Sequence, residues 1–229
     1  MIVAVLTLTL AFFASPTPAP PVELPSDTVL ARYATALSAY TAPAVLSFDY
    51  LLEQSGAREM EQDHRIFRSG TNERDETLAV DGRKLDPPTI RIFRGRSNRY
   101  TVGLLAPRPA QYDFHYLGTH RDGHHLDYVF DATPKGAPDY RVTRVTIDGI
   151  TYLPAAIVFR LGTDGTGTVT FGRNDRWWIP LEATARAHSE GLPAQERLTF
   201  SGYRFPPSLP SSTFAMPRPL PSFAPVAGE

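Results

Sequence analysis

Ile150-Thr-Tyr-Leu-Pro-Ala-Ala-Ile-Val-Phe-Arg-Leu161 places Leu153, Ala155, Ile157, Phe159 and Leu161 at every second position, with Tyr152, Ala156, Val158 and Arg160 between them. A period of two over this length predicts a strand with one strongly apolar face. The pattern continues on the C-terminal side. Val169 and Phe171 share a side of the next run. Trp177, Ile179, Leu181, Ala183, Ala185 and Ala187 share a side of the one after, opposite Trp178, Glu182, Thr184, Arg186 and His188. Leu198 and Phe200 follow. Gly162-Thr-Asp-Gly-Thr-Gly167, Gly172-Arg-Asn-Asp175 and Ser189-Glu-Gly-Leu-Pro193 supply turn chemistry between these runs, so the stretch from 140 to 214 reads as adjacent antiparallel strands.

Working towards the N-terminus, His125 to Asp131 and Tyr112 to Thr119 pair around Arg121-Asp122-Gly123. Tyr112, Phe114 and Tyr116 share one face, and Leu126, Tyr128 and Phe130 alternate in the same way. Gly103-Leu-Leu-Ala-Pro-Arg-Pro109 is apolar but broken by prolines, which predicts a loop or short helical turn across the sheet. Thr89 to Arg94, Arg74 to Val80 and Met60 to Phe67 form a more polar meander with a tight turn at Asp81-Gly82. The arginines at 91, 94, 96 and 99 fit a solvated face or an edge strand. Leu46, Phe48, Tyr50 and Leu52 alternate with Ser47, Asp49, Leu51 and Glu53. Before them, Ser26-Asp27 opens a helix that Ser26 can cap, with Val29, Leu30, Tyr33, Leu37 and Tyr40 on one face and Ala42-Pro43 at its end.

Residues 1–25 read as a signal-like apolar leader followed by a proline-rich linker, 26–214 as one domain, and 215–229 as a proline-rich disordered tail. The leader is too short to span a bilayer and implies a periplasmic or secreted protein. A net charge of −1 gives no basic face for nucleic acid. The chain has no cysteine, which excludes disulfides, thiolate chemistry and a cysteine-anchored lipoprotein.

Sites for chemistry are sparse. No phosphate-binding glycine loop, nucleophile elbow or His-Glu-x-x-His helix is present. Asp75 and Glu76 adjoin in a strand and so face apart, which is unsuited to paired-carboxylate catalysis. His115, His120, His124 and His125, with Asp122 and Asp127, are a candidate zinc cluster at a hairpin, weighed against an ordinary solvated turn. The stronger feature is apolar surface. A sheet of this extent has more apolar face than one helix of about four turns can cover, so it needs a second sheet, closure into a barrel, or a ligand in its concavity.

One family unites these features. Gly118-Thr-His-Arg-Asp-Gly-His-His-Leu-Asp-Tyr-Val-Phe130 leads to Val145-Thr-Ile-Asp-Gly-Ile-Thr-Tyr-Leu-Pro154, then to Phe200-Ser-Gly-Tyr-Arg-Phe205 and the closing Leu209-Pro-Ser-Ser-Thr-Phe214. Behind an N-terminal helix and a meander, this resembles the LolA/LolB-like superfamily of periplasmic lipoprotein and lipid carriers. The resemblance implies an α+β fold: a strongly curved antiparallel sheet, or incomplete β-barrel, with the N-terminal helix covering its concave face. It also implies an apolar cavity that accepts acyl chains. The expected function is an exported, non-enzymatic, monomeric carrier of an acyl chain, lipid or lipoprotein, without cofactor. Tyr33 and Leu37 on the helix, with Leu46, Phe48, Tyr50, Phe114, Tyr116, Tyr128, Phe130, Ile157 and Phe159 on strands, are the expected lining. Two alternatives are an envelope protein-binding or sensor module and a zinc-dependent enzyme at the hairpin from His115 to Asp127.

Overall fold

The computed structural model describes residues 22–215, apart from 57, 96–100, 124, 138–140 and 190–191. The expected leader before residue 22, the tail after 215 and His124 lie outside the described residues. A helix, α1 (Ser26–Ala39), precedes a first meander of four strands: β1 (Val45–Gly56), β2 (Met60–Ser69), β3 (Asn72–Val80) and β4 (Arg83–Phe93). A connection with one helical turn, α2 (Val102–Leu105), leads to a second meander of seven. These are β5 (Tyr112–Asp122), β6 (His125–Pro134), β7 (Arg141–Asp148), β8 (Pro154–Leu161), β9 (Gly165–Asn174), β10 (Trp177–Ser189) and β11 (Leu192–Arg204). A 3₁₀ turn at Ser211–Phe214 follows.

The two meanders form one antiparallel sheet of eleven strands because β11 returns to pair with β1. The order is β4-β3-β2-β1-β11-β10-β9-β8-β7-β6-β5. Among the described residues the sheet therefore has two free edges, β4 and β5, and is an incomplete barrel: an α+β fold with its helix on the inner face. Edge strand β4 carries Arg83, Lys84, Arg91, Pro87 and Pro88, residue types that discourage further strand pairing.

Register explains where the core sits. Successive partners Tyr116, Phe130, Val145, Ile157, Val169, Ala183, Leu198 and Leu52 run as one row from β5 through β11 to β1. The row stops being apolar at the next partner, Gln62 of β2. Since alternate side chains share a face, this row defines the inner side. Helix α1 lies on it with Val29, Tyr33 and Leu37 buried, and α2 adds Val102 and Leu105. Beneath Phe159 the sheet has Gly167, where a Cβ would come within 2.5 Å of the ring; a bare backbone makes the room.

Two details depart from the sequence reading. Pro25, not Ser26, occupies the N-cap position of α1, and no side chain caps it. The alternation along β10 is broken by a bulge between Pro180 and Glu182. Pro180 pairs with inner Phe171 and Ala183 with inner Val169, so Trp178 shares the inner face with Ala183, while Trp177 and Ile179 lie outside. The expectation that grouped Trp177, Ile179 and Leu181 with Ala183 is corrected accordingly. A proline inside a strand is the sequence mark of such a break.

Candidate functional site

All eleven residues expected to line a cavity lie on the inner face, but they form two clusters. Under α1, Tyr33 meets Phe114 edge-on at 6.1 Å, Phe114 meets Phe130 at 6.2 Å, and Tyr116 meets Phe130 at 5.3 Å. Tyr128, Ile157, Phe159 and Leu37 are buried in the same core. At the β1 side, Phe48 packs on Phe200 at 5.9 Å and on Tyr203 at 5.1 Å, and Tyr50 stacks on His64 at 4.4 Å. Leu46 is buried beside them. Helix α1 covers this face, as expected, with Val29, Tyr33 and Leu37 buried against the sheet.

Beside the second cluster lies a small apolar pocket of about 20 Å³, lined by Tyr40, Pro43, Leu46, Phe48, Trp178, Phe200 and Tyr203 among others. This is roughly room for one water. Tyr40, Trp178, Phe200 and Tyr203 were not among the expected lining residues. The bulge in β10 hid Trp178, and Gly202, with φ of 61°, interrupts the alternation before Tyr203.

Polar groups within this apolar region are satisfied by backbone. The Tyr33 hydroxyl donates to the Pro107 carbonyl at 2.9 Å and Tyr40 to that of Trp178 at 3.2 Å. The Trp178 indole N–H donates to the Pro154 carbonyl at 2.8 Å, and Tyr203 to that of Pro180 at 2.8 Å. Burial pushes the Tyr40 phenol up to about 12, and moves Tyr33 and Tyr203 further in the same direction. On the outside of α1, Arg32 donates to the Tyr152 hydroxyl at 2.6 Å.

Larger hollows lie elsewhere. An open cleft of about 620 Å³ at the far ends of β1 and β2 is lined by Glu53, Glu59, Glu61, Asp81, Arg197 and neighbours. It is wide, acidic and separate from the apolar core. A second open cleft of about 320 Å³ involves Asp164, Arg186, His188 and Gln195.

The hairpin histidines are only partly gathered. His115 is exposed on β5 opposite Asp131. His125 Nε2 lies 3.0 Å from Asp127 Oδ1 and 3.0 Å from Asp148 Oδ2, and His120 stands opposite Asp127 in the β5–β6 register. Burial, with Asp148 adding to it, raises the Asp127 carboxyl above its ordinary value while His125 opposes the shift. Asp148 was absent from the expected cluster; it comes from the neighbouring strand, a relation that only the register discloses.

No protein-family model matches this sequence, and no curated protein matches it. Solved structures do. A DUF1329 family protein from Desulfovibrio piger is 11% identical with a TM-score of 0.47, over 82% of this chain and 97% of that one. The LolA superfamily protein NE2245 from Nitrosomonas europaea is 12% identical with a TM-score of 0.45, over 85% of this chain and 99% of that one. A chain of the Pseudomonas aeruginosa MucA/MucB complex is 12% identical with a TM-score of 0.24, over 76% of this chain and 92% of that one. The second belongs to the superfamily that the sequence resembles. Likeness at this level carries no residue roles from those proteins to this one.

Proposed function

We propose that the protein is an exported, non-enzymatic carrier in which an acyl chain, of a lipid or a lipoprotein, takes the place that α1 holds in this structure. The observation that supports this reading is the unbroken apolar row from Tyr116 to Leu52, covered among the described residues by α1 and α2. Magnitudes make the exchange feasible. Val29, Tyr33 and Leu37 each contribute about 1.5–3 kcal/mol by burial. An acyl chain gains about 0.8 kcal/mol per CH₂, so a chain of roughly ten carbons competes with the helix. The small pocket beside Tyr40 and Trp178 is the point where a chain end would start to lift α1.

The test uses tryptophan fluorescence, since the chain has only Trp177 and Trp178 and Trp178 borders the pocket. A brominated long-chain fatty acid should quench it saturably, a short-chain analogue far less. Native mass spectrometry after purification from a periplasmic expression host should show an added acyl mass. Absence of both saturable quenching and acyl mass overturns the reading. The close packing of α1 on the inner face favours a second reading, an envelope protein-recognition module, which predicts a protein partner in pull-downs and no acyl binding.

A further inference from the structure

We propose that His125, Asp127 and Asp148, with His120 as a fourth ligand, form a divalent-cation site of the zinc class on the outer face of the sheet. The site is independent of the carrier reading, because these side chains point away from the apolar core. Asp127 alternates with the inner residues Leu126 and Tyr128, and its register partners are His120 on β5 and Asp148 on β7. Two imidazoles and two carboxylates are thereby placed on three neighbouring strands, and borderline cations favour this mixture of nitrogen and oxygen donors.

Three of the four ligands already lie close to a coordination shell, and His120, outside that group, has to swing in to join them. One ligand atom each from His125, Asp127 and Asp148 lies within 4.8 Å of the others. A tetrahedral ion with bonds of about 2.0–2.2 Å spaces its ligands about 3.4 Å apart. The 3.0 Å separations on either side of His125 Nε2 therefore need to widen only by a few tenths of an ångström. A single ring N–H is poorly suited to serve two carboxylate oxygens at once. Asp127 Oδ1 shows the consequence: it is buried and lacks a hydrogen bond of acceptable alignment, despite its 3.0 Å approach to the ring. A cation between the three groups would satisfy both oxygens.

Asp148 is already held as a one-oxygen ligand. Its Oδ1 accepts from the Ile150 N–H at 3.1 Å, the Thr151 N–H at 2.6 Å and the Thr151 hydroxyl at 2.7 Å, leaving Oδ2 for the site. Supporting hydrogen bonds of this kind fix ligand orientation. The turn itself is docked by Gly149, whose N–H donates to the Leu126 carbonyl at 2.9 Å; a Cβ there would meet that oxygen at 2.2 Å. An ion at this point would fasten the β5–β6 hairpin to the β7–β8 turn.

The experiment uses the full chain with a tag free of histidine, stripped of metal and titrated with zinc against a chromophoric chelator, and separately with cobalt(II). The expected result is one zinc per chain and a visible cobalt spectrum of tetrahedral intensity. His125→Gln and Asp127→Asn should each weaken zinc at least about tenfold, and His120→Gln should change the cobalt spectrum. His188→Gln should bind zinc like the parent, because the His188 ring, on β10, pairs at 2.7 Å with Asp164 of the β8–β9 turn. Zinc should raise the melting temperature of the parent and of His188→Gln but not of Asp127→Asn, with circular dichroism checking that each variant is folded. Substoichiometric binding, or parent-like affinity in folded Asp127→Asn, overturns the proposal.

Discussion

Ile157 and His64 lie on the inner face of the same sheet, and both are almost fully buried, yet their surroundings differ in kind. Ile157 pairs with Val145 and Val169 and is buried in the apolar core under α1. His64 sits beyond β1, where Gln62, Arg68, Glu73, Asp75 and Thr77 take over the inner positions. There most of the buried groups are paired: His64 Nδ1 meets Asp75 at 2.7 Å, its Nε2 meets Gln62 at 3.0 Å, and Arg68 pairs with Glu73, although Arg68 Nε is left without a partner. Apolar burial is non-directional and tolerates a helix that can leave. Polar burial is directional, and a one-residue slip of β2 against β3 would break both pairs together. If the proposed exchange takes place, this difference puts it in the half under α1 and leaves fixed register to the half beyond β1.

The largest test of that contrast is Glu73→Ala. It strands the Arg68 guanidinium, which is almost wholly buried, and should cost about 3–5 kcal/mol in urea denaturation. Replacing both partners together, Arg68→Met with Glu73→Leu, should recover most of that loss. If the single change costs as little as an exposed pair, the polar half is not held by its buried charges. In the apolar half the comparable change is Gly167→Ala. The new methyl meets the Phe159 ring, and overpacking of this kind should lower stability by about 1–3 kcal/mol. Combining it with Phe159→Leu should relieve part of the clash, a pairing readable from thermal melts of the four variants.

The antiparallel strands, the helix with its inner stripe, and the hairpin turns were all legible in the chain, because period, turn chemistry and helix face are local properties. Asp81-Gly82 is an example: both residues take positive φ, 49° and 73°, as a tight hairpin requires. What was not legible depended on register. The bulge before Glu182 moved Trp178 to the inner face, and no local pattern says which partner residue opposes Pro180. The pairing of β11 with β1 brought Phe200 to Tyr50 from a distance along the chain that no period reveals. The polar inner half was visible as a polar meander, but its cross-strand ion pairs were not. Asp148 joined the histidine cluster for the same reason.

A subtler prediction concerns how firmly α1 is seated. Tyr33→Phe keeps the ring and removes the hydrogen bond to the Pro107 carbonyl, and should cost about 0.5–1.5 kcal/mol. If α1 competes with an acyl chain, the lost bond should reappear as tighter apparent binding of the brominated acid, by up to about tenfold, since 1.4 kcal/mol is one decade. Lower stability without tighter binding would mean that α1 is a permanent part of the core and that the two halves do not differ in mobility.

The smallest effect is a pH dependence that belongs to the apolar half alone. The Tyr40 phenol rises from 10.0 to about 12 through burial, so the folded protein keeps its proton where the unfolded chain has lost it. A group with a raised folded pKa contributes fully below its unfolded value and loses that contribution as pH climbs towards the folded one. The stabilising part from Tyr40 is thus present at neutral pH and disappears between pH 10.0 and about 12. Tyr40→Phe removes the titrating group together with the long hydrogen bond to Trp178. Its melting temperature should fall slightly below the parent's at neutral pH, and the gap should close or reverse at about pH 11. A constant gap at both values would show that the Tyr40 hydroxyl ionises as freely in the fold as outside it. The end of α1 would then already be open over the pocket beside Trp178.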